Sequence, residues 1–465
     1  MPASRALAGA MLAWLALAIP TAVCVWRIEP YMDEVFHMPQ AQRYCHGRFH
    51  EWDAKITTFP GLYLCSALLS LAASPLLPPS SACSATALRA LNLLFGAGSL
   101  VVLYRLLRRR MSGGKAAAQA LALALYPVHF FFGFLYYTDA GALFWALLAH
   151  DLATPAPGRA RPSPGRVATA AAAGLAAVAF RQTNAVWLLF TFGTAALADL
   201  EASKRWGPAL AGREAAAGPR LLATFLRALL LEWRGLLRRL GLLLLPVAAF
   251  AAFVAWNGSV VVGDHAHHQA AVHWAQLAYL SAVTASLWGA VGADAAVSAR
   301  GARAFARCCL GSAGAALASL AAVGAVAGLL HRYSLAHPFL LADNRHYTFY
   351  VWRRLLGRGG LREALAPAYV YCAWFCHRQL RREQSALWCL VWLVAAALTL
   401  VPAQLLEPRY LTTAVVLAHA HAPERTWASL LAGAGACALV NAATLGVFAL
   451  RPFAWPDGST ARFMW

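Results

Sequence analysis

Two acidic residues stand side by side early in the chain, in the segment Glu29 to His37 (EPYMDEVFH). Asp33 and Glu34 have aromatic neighbours, and the imidazole of His37 follows three residues later. Carboxylates at the edge of apolar surface are candidates for base catalysis. The alternative is an interfacial loop whose charges are merely solvated, and residue types alone do not separate the two.

Three further polar patches interrupt the apolar sequence: Asp139, the cluster Asp264 to His268, and the stretch Asp343 to Arg354. Placed on one side of a membrane with Asp33, they would collect acids and bases on a single face. Independent solvated loops would have no reason to do so. The pattern therefore predicts one polar site with contributions from several loops.

Cations in these patches are candidates for binding a phosphate. Arg345 and His346 are the first choice, and Arg353 and Arg354 follow, because guanidinium groups bind phosphate oxygens in pairs. The alternative for Arg353 and Arg354 is a role as interface anchors at the end of a helix. Arg181 differs, since a charge between two apolar runs is costly and usually faces a partner or a cavity.

A metal site is weighed on the same patch that contains Asp264. His265, His267 and His268 are close in sequence, but a loop lacks the i, i+4 helical placement that fixes paired ligands. The sequence therefore predicts no metal.

The chemistry-bearing residues lie between long apolar runs. Of the 465 residues, 60% are hydrophobic and 12% charged. A bilayer core needs roughly 20 apolar residues per helix, and runs such as Leu7 to Trp26 and Cys308 to Leu330 reach that length. Lipid leaves no backbone hydrogen bond unmade, so the spans must be helices. The sequence predicts one all-α polytopic membrane domain over residues 1–465, with about 12 transmembrane helices.

The basic residues set the predicted orientation. The formal net charge of +20 comes from short clusters between apolar runs, which indicates positive-inside topology and no nucleic-acid partner. Residues 27–60 then form the first luminal loop, 201–239 a basic cytosolic loop and 331–356 another luminal loop. Residues 61–77 are predicted to lie at the luminal interface; the alternative is that they span the membrane. Cys45 and Cys83 could pair in an oxidising lumen, although membrane cysteines are more often small core residues.

Several strings in the sequence resemble a known family, the dolichyl-phosphate-glucose α-1,2-glucosyltransferases. These strings run in order along the chain to its last four residues, RFMW. They are Pro30 to Trp52 (PYMDEVFHMPQAQRYCHGRFHEW), Ile56 to Leu62 (ITTFPGL), Tyr136 to Gly141 (YYTDAG), Phe180 to Asn184 (FRQTN), Val262 to Asp264 (VGD) and His337 to Arg354 (HPFLLADNRHYTFYVWRR).

The resemblance implies a GT-C glycosyltransferase fold in the endoplasmic-reticulum membrane, multi-pass, with an active site facing the lumen. It implies dolichyl-phosphate glucose as donor and diglucosylated dolichyl-diphosphate oligosaccharide as acceptor, with the lipid bilayer as a further partner and no cofactor. Asp33 or Glu34 would be the base, and the reaction would invert the anomeric centre. His37, Asp139, Arg181, Asp264 and Asp343 are expected to help bind substrate, with Arg345, His346, Arg353 and Arg354 beside the phosphate.

Two other readings remain open. A dolichyl-phosphate-mannose transferase of the same fold would share composition and topology, and only the strings favour glucose. A transporter, or a membrane subunit that regulates an ion channel without catalysis, would be expected to bury polar residues near the midplane. Here the acids cluster in loops, and Arg181 is the main exception.

Overall fold

In the computed structural model, residues 3–156, 161–210, 218–265, 269–290 and 295–465 are described. In chain order the helices are α1 (Ala3–Val25), α2 (Glu34–Cys45), α3 (Gly61–Ala73), α4 (Pro79–Ala82), α5 (Ala85–Leu107), α6 (Gly113–Ala124), α7 (Pro127–Phe132), α8 (Thr138–Ala153), α9 (Pro164–Phe180), α10 (Asn184–Glu201), α11 (Gly207–Leu210), α12 (Pro219–Leu240), α13 (Leu245–Asn257), α14 (Ala275–Ala285), α15 (Ala295–Leu310), α16 (Ala313–Tyr333), α17 (Pro338–Ala342), α18 (Tyr347–Val351), α19 (Leu361–Ala364), α20 (Ala366–Leu380), α21 (Ala386–Leu400), α22 (Pro408–Ala420) and α23 (Trp427–Leu450).

Three short helical segments and one hairpin complete the secondary structure. A 3₁₀ turn, Gly241–Leu244, joins α12 to α13, and π-helical turns follow α14 and α18 at Ser286–Ala290 and Trp352–Leu356. Strands β1 (Phe453–Ala454) and β2 (Thr460–Ala461) pair antiparallel, with Phe453 opposite Ala461.

Five helical stretches in the described part of the chain are long and apolar enough to cross a membrane. They are Ser4–Val25, Ala85–Leu107, Pro219–Asn257, Ala313–Tyr333 and Trp427–Leu450. Shorter apolar helices are Gly61–Ala73, Pro164–Phe180 and Ala386–Leu400. The secondary structure of the described residues is therefore helical apart from one small hairpin, which is consistent with a polytopic membrane protein.

The chain divides into two compact units. The described residues of Met1–Gly113, Phe132–His268 and Gln384–Ala395 form the first unit. Those of Gly114–Phe131, Gln269–Glu383 and Ala396–Trp465 form the second.

The first unit is built around α8, which packs between α5 and α9. Local sequence starts the outer two helices: the Ser84 hydroxyl accepts from the Ala87 amide at the start of α5, and Ser163 caps α9 in the same way. A buried cluster that includes Leu62, Phe95 and Phe180 joins these helices to α2 and α3.

Ion pairs lie at both ends of α8. Asp139, in its first turn, binds Arg181, with Oδ1 at 2.6 Å from Nη1. Asp151, near its last turn, is buried and binds Arg105 of α5 at 2.7 Å and also Arg109, two residues beyond the end of α5. The end with Asp139 is called the motif end below, because the quoted strings of the first unit converge there.

The predicted basic cytosolic loop 201–239 contains most of a long helix. Residues Pro219–Leu240 form α12, an amphipathic helix of 22 residues. Arginines and one glutamate alternate with leucines at helical spacing, so one side packs through residues such as Leu236 and Leu240 while the other stays exposed. The sequence interpretation counted basic residues and missed their period.

A disulfide joins Cys45, at the end of α2, to Cys83, just before α5. The sequence left this pairing open. Both cysteines lie in the first unit, and their bond ties the first loop to the segment that enters α5.

The second unit packs α14, α16 and α20 against one another. Its buried cluster includes Tyr279, Leu330 and Ala366. His273, in the loop before α14, is fully buried. Its Nδ1 lies 3.1 Å from the Gln404 carbonyl oxygen, and its Nε2 accepts a hydrogen bond from the Leu335 amide. His273 therefore connects this loop to two others.

Candidate active site

Glu34 begins α2 and is completely buried. Its two carboxylate oxygens bind Arg89 in parallel, Oε1 at 2.8 Å from Nε and Oε2 at 2.7 Å from Nη2. The same carboxylate accepts from the backbone amides of Tyr136 at 2.7 Å and Tyr31 at 3.2 Å. Glu34 thus joins the first loop, α5 and the segment before α8.

Asp33 precedes Glu34 and is only half-buried. Its backbone amide donates to the Tyr137 hydroxyl at 3.1 Å, and its side chain makes no capping hydrogen bond to α2. The residue before it, Met32, has a φ of 54°. A non-glycine residue in the left-handed region costs about 1–2 kcal/mol, and such strain persists where the surrounding structure fixes the backbone.

His37 lies one turn further along α2 and is buried. Its Nδ1 is 2.5 Å from the Tyr63 hydroxyl of α3, and its ring meets that of Tyr137 edge-on, with centroids 6.0 Å apart. His37 therefore shares Tyr137 with Asp33, and it links α2 to α3.

Arg181 and Asp139 form an ion pair in which both side chains are mostly buried. The pairing agrees with the expectation that a charge between apolar runs faces a partner. The neighbouring Gln182 donates Nε2 to the Thr57 carbonyl at 2.7 Å, so the FRQTN string also touches the first loop.

Asp264 reaches the same end of the first unit through backbone contacts. Its amide donates to the Ala54 carbonyl at 3.2 Å, and the Val262 amide donates to the Thr57 carbonyl at 3.1 Å. A Cβ on Gly263 would lie 2.2 Å from the Ala54 carbonyl oxygen and 2.7 Å from that of Ile56. Only glycine fits this approach, which explains the VGD string.

We expect Gly263→Ala to destabilise the first unit. The added Cβ meets backbone oxygen rather than a flexible side chain, so the segment must move away from the first loop, at a cost of about 1–3 kcal/mol. The unfolding midpoint of the purified protein in detergent would measure this. Gly165→Ala is the matched control, because that glycine has open space around it on α9. Equal midpoints for the two variants would contradict the packing argument.

Two residues at the motif end were missed in the sequence, both on α5. Arg89 is 1% exposed and binds Glu34. Asn92 is fully buried and donates Nδ2 to the carbonyls of Leu135 and Tyr137, both at 2.6 Å. The position of Arg89 in an apolar run could have identified it as a site residue, since an arginine in an apolar span usually has a buried partner.

In the second unit, the Arg345 guanidinium donates two hydrogen bonds to the Asp343 carboxylate. They join Nε to Oδ1 and Nη2 to Oδ2, each at 2.8 Å. His346 Nε2 is 3.6 Å from the same carboxylate. Burial by itself raises the pKa of the Asp343 carboxyl, but the hydrogen bonds from Arg345 and the nearby His346 outweigh it and hold that pKa below its usual range. Asp343 is therefore ionised at neutral pH.

The last residues of the chain complete this cluster. The Arg345 guanidinium stacks on the Trp455 ring at 4.4 Å, and the Trp455 indole donates to Asn344 Oδ1 at 3.1 Å. His346 Nδ1 is 2.8 Å from the Trp465 carbonyl oxygen. The tail beyond α23 thus packs on the loop that carries Asp343, which the sequence did not predict.

The remaining predicted site residues are placed as follows. Arg353 and Arg354 lie in the π-helical turn Trp352–Leu356 and are exposed. His265 is exposed, and His267 and His268 lie outside the described residues. Among the described residues, no group of three or more histidine, cysteine or acidic side chains could hold a metal ion.

A helical chain with several candidate spans, and with carboxylates and arginines gathered at helix ends, is a membrane protein with polar sites at the edges of its helices. The profile of the DIE2/ALG10 family matches residues 27–420. The chain belongs to the DIE2/ALG10 family.

Similar proteins cover almost the whole chain. A mouse (Mus musculus) protein named Dol-P-Glc:Glc(2)Man(9)GlcNAc(2)-PP-Dol alpha-1,2-glucosyltransferase is 36% identical over 94% of this chain and 93% of its own length. Proteins of the same name from Homo sapiens and Arabidopsis thaliana are 34% and 33% identical, over 94% and 96% of this chain and 93% and 97% of their own lengths. No solved structure matches.

Proposed function

We propose that this protein is an inverting glycosyltransferase. It transfers the third, α-1,2-linked glucose from dolichyl-phosphate glucose to the diglucosylated dolichyl-diphosphate oligosaccharide. The observation that carries the proposal is the likeness to relatives named for this reaction over more than nine-tenths of the chain.

Asp33 is the proposed base. Glu34 accepts two hydrogen bonds from Arg89 and is fully buried. Its carboxylate is therefore poorly placed to contact a sugar hydroxyl. Asp33 is half-exposed at the same point of the chain, behind a strained Met32 and beside the Tyr137 hydroxyl. A base must come within hydrogen-bond reach of the proton it takes, and exposure favours Asp33. Glu34 is then a positioning residue.

The proposed reaction is a single displacement. Asp33 takes the proton from the acceptor 2-hydroxyl, whose oxygen attacks the anomeric carbon opposite the phosphate. The bond between that carbon and the phosphate oxygen breaks, and dolichyl phosphate leaves with the bonding electrons. A β-linked donor thereby gives an α-linked product. The leaving group is already a stable anion, so no acid needs to protonate it.

Cations are needed where the leaving phosphate gains charge. We assign this role to Arg345 and His346, with Arg353 or Arg354 as further candidates. Arg345 is held by Asp343 and by the Trp455 ring, which fixes the direction of its guanidinium. His37, Asp139, Arg181 and Asp264 are assigned to substrate binding, because they lie at the motif end of the first unit, as Asp33 does.

We expect Trp455→Ala to weaken donor binding. The stacked ring contributes about 0.5–2 kcal/mol to the position of Arg345, which corresponds to a rise in donor KM of roughly 2- to 30-fold. Steady-state kinetics with dolichyl-phosphate glucose would measure the rise. Trp427→Ala, which truncates an exposed tryptophan at the start of α23, is the control. An unchanged KM in Trp455→Ala would argue against a role for Arg345 in donor binding.

The disulfide supports a luminal position for the first loop. Disulfides form in the oxidising lumen, and both cysteines must lie on one side of the membrane. One apolar run, that of α3, separates them, so it cannot cross. Its 13 residues cover about 20 Å, less than the bilayer core, and Leu68 and Leu71 are exposed on its outer face. We propose that α3 lies at the luminal interface and frames a groove for the dolichyl chain.

An inserted glycosylation acceptor tests this orientation. We expect an Asn-x-Ser site placed after α3, beside the 87%-exposed Leu76, to be glycosylated in microsomes, because that segment would face the lumen. The same site inserted between residues 201 and 219 should stay unmodified. Modification of the second site and not the first would reverse the proposed topology.

The GT-C fold and about 12 spans belong to the same proposal. The runner-up function is mannose transfer from dolichyl-phosphate mannose by the same fold. No observation on the described residues favours a transporter or a channel regulator over transfer.

The decisive experiment supplies both donors separately. Purified protein is incubated with a diglucosylated lipid-linked oligosaccharide and either dolichyl-phosphate glucose or dolichyl-phosphate mannose. Glucose transfer alone, with a product cleaved by an α-1,2-specific glucosidase, supports the proposal. Mannose transfer would establish the runner-up, and transfer of neither sugar would remove both.

A further inference from the structure

A second polar site lies in the second unit, and no residue of the loop that carries Asp343 lines it. A cavity of about 430 Å³ opens among α15, α20 and the segment that leads into α23. It lies at the C-terminal end of α20, which is about 22 Å long. The other end of α20 follows α19, where Glu363 contacts His331 at 3.1 Å. None of the proposed transfer residues lines the cavity.

The lining is strongly basic. The lining contains four guanidinium groups and one carboxylate. The guanidinium groups belong to Arg300, Arg378, Arg382 and Arg425, and the carboxylate to Glu424. Glu424 is itself bound by the ammonium group of Lys115. Four guanidinium groups against one carboxylate give the lining a net positive charge, which favours an anionic ligand.

The cavity is also lined by hydrogen-bond donors and by apolar side chains. Helix α23 begins at the cavity, and its N-terminus favours negative charge. Ser429 in its first turn is buried, and its hydroxyl accepts from Arg425 Nη2 at 2.8 Å and Nε at 3.1 Å. Trp288 and Phe375 are buried beside it, and the Arg378 guanidinium lies 5.1 Å from the Trp374 ring.

We propose that this cavity binds a phosphate-bearing anion, either the headgroup of an anionic phospholipid or a soluble phosphate ester. Guanidinium groups and a helix N-terminus are the groups that proteins use for phosphate. The aromatic walls accommodate the glycerol or inositol part, and the volume is that of a small-ligand site. By the positive-inside rule, its arginines favour the cytosolic side of the membrane.

Native mass spectrometry of the purified full-length protein in non-ionic detergent tests the site. Phosphatidylinositol is titrated as the lipid probe, phosphatidylcholine as the zwitterionic comparison and glycerol 3-phosphate as the soluble probe. The test variant is R300Q/R378Q. The matched control is R303Q/R307Q, which removes the same number of positive charges. Arg303 and Arg307 lie on α15, as Arg300 does, but they are exposed and do not line the cavity.

We expect phosphatidylinositol to bind the wild type and the control alike, and to bind R300Q/R378Q about tenfold more weakly. Glycerol 3-phosphate binding as tightly as the lipid would assign the site to soluble esters. Equal loss in both variants would reduce the effect to general surface charge and overturn the proposal, as would no binding by the wild type. Arg300 and Arg378 are exposed, so the variant should fold, and its unfolding midpoint checks this.

Discussion

Asp33→Asn is expected to abolish glucose transfer while leaving the protein folded. The amide keeps the size of the side chain but cannot take the acceptor proton, and loss of a general base lowers kcat by about 100- to 10,000-fold. Asp33 is half-exposed and the amide has the same shape as the carboxyl group, so the unfolding midpoint should stay near that of the wild type. Steady-state transfer from radiolabelled dolichyl-phosphate glucose would measure kcat.

The control for this experiment is Glu29→Gln, an exposed acid in the same loop. It should keep wild-type activity. If Asp33→Asn retains more than about a tenth of the wild-type rate, Asp33 is not the base.

Glu34→Gln is expected to act on stability first. Removing the charge of Glu34 leaves Arg89 buried without its counter-ion, and breaking a buried pair in this way costs about 3–5 kcal/mol. The unfolding midpoint should fall sharply, and activity should fall with the folded fraction. Urea or dodecyl sulfate titration of the purified protein would give the free energy of unfolding.

A paired substitution separates this role from catalysis. In E34M/R89M both charges are replaced by apolar side chains, so part of the lost stability should return, less the cost of leaving the backbone amides of Tyr31 and Tyr136 without their acceptor. Glu51→Gln is the surface control, since the pair of Glu51 with Arg48 is half-exposed and should contribute about 0–1 kcal/mol. If Glu34→Gln is as stable as the wild type yet inactive, Glu34 is the base instead.

Adjacent residues such as Asp33 and Glu34 show where the sequence stops being informative. Side chains next to each other at a helix start point about 100° apart around the axis, so one can face the core while the other faces the rim. The sequence identified both residues as candidates for the base and could not decide between them. The partner that decides the matter is Arg89, which stands 55 residues later in another helix.

The long apolar runs were the predictable part of the fold. The runs Leu7 to Trp26 and Cys308 to Leu330 correspond to α1 (Ala3–Val25) and α16 (Ala313–Tyr333) within a few residues. Their helicity follows from lipid alone, which is why composition predicts it. Helix α12 was missed because its stability comes from packing one face, and a count of basic residues carries no period.

Contacts that join distant segments were not predictable. The packing of Trp455 on Arg345 and the bond from His346 to Trp465 depend on how the tail returns to an earlier loop. Nothing in the local sequence of either segment specifies that return. In contrast, the pairing of Arg181 was foreseen in kind, because a buried charge needs a partner wherever it lies.

The ion pairs at the two ends of α8 also limit how thick a membrane this protein can sit in. Asp139 and Asp151 are separated by about 18 Å of helix, and Arg89 and Arg105 on the neighbouring α5 by about 24 Å. Both lengths are shorter than an average hydrocarbon core of about 30 Å, and the bilayer of the endoplasmic reticulum is the thinner one, about 27 Å. The Arg105 guanidinium is half-exposed and must stay at the membrane surface, so lipids beside α5 must shorten or tilt to match it. We therefore expect the first unit to fit thin, short-chain bilayers better than the thicker membranes later in the secretory route.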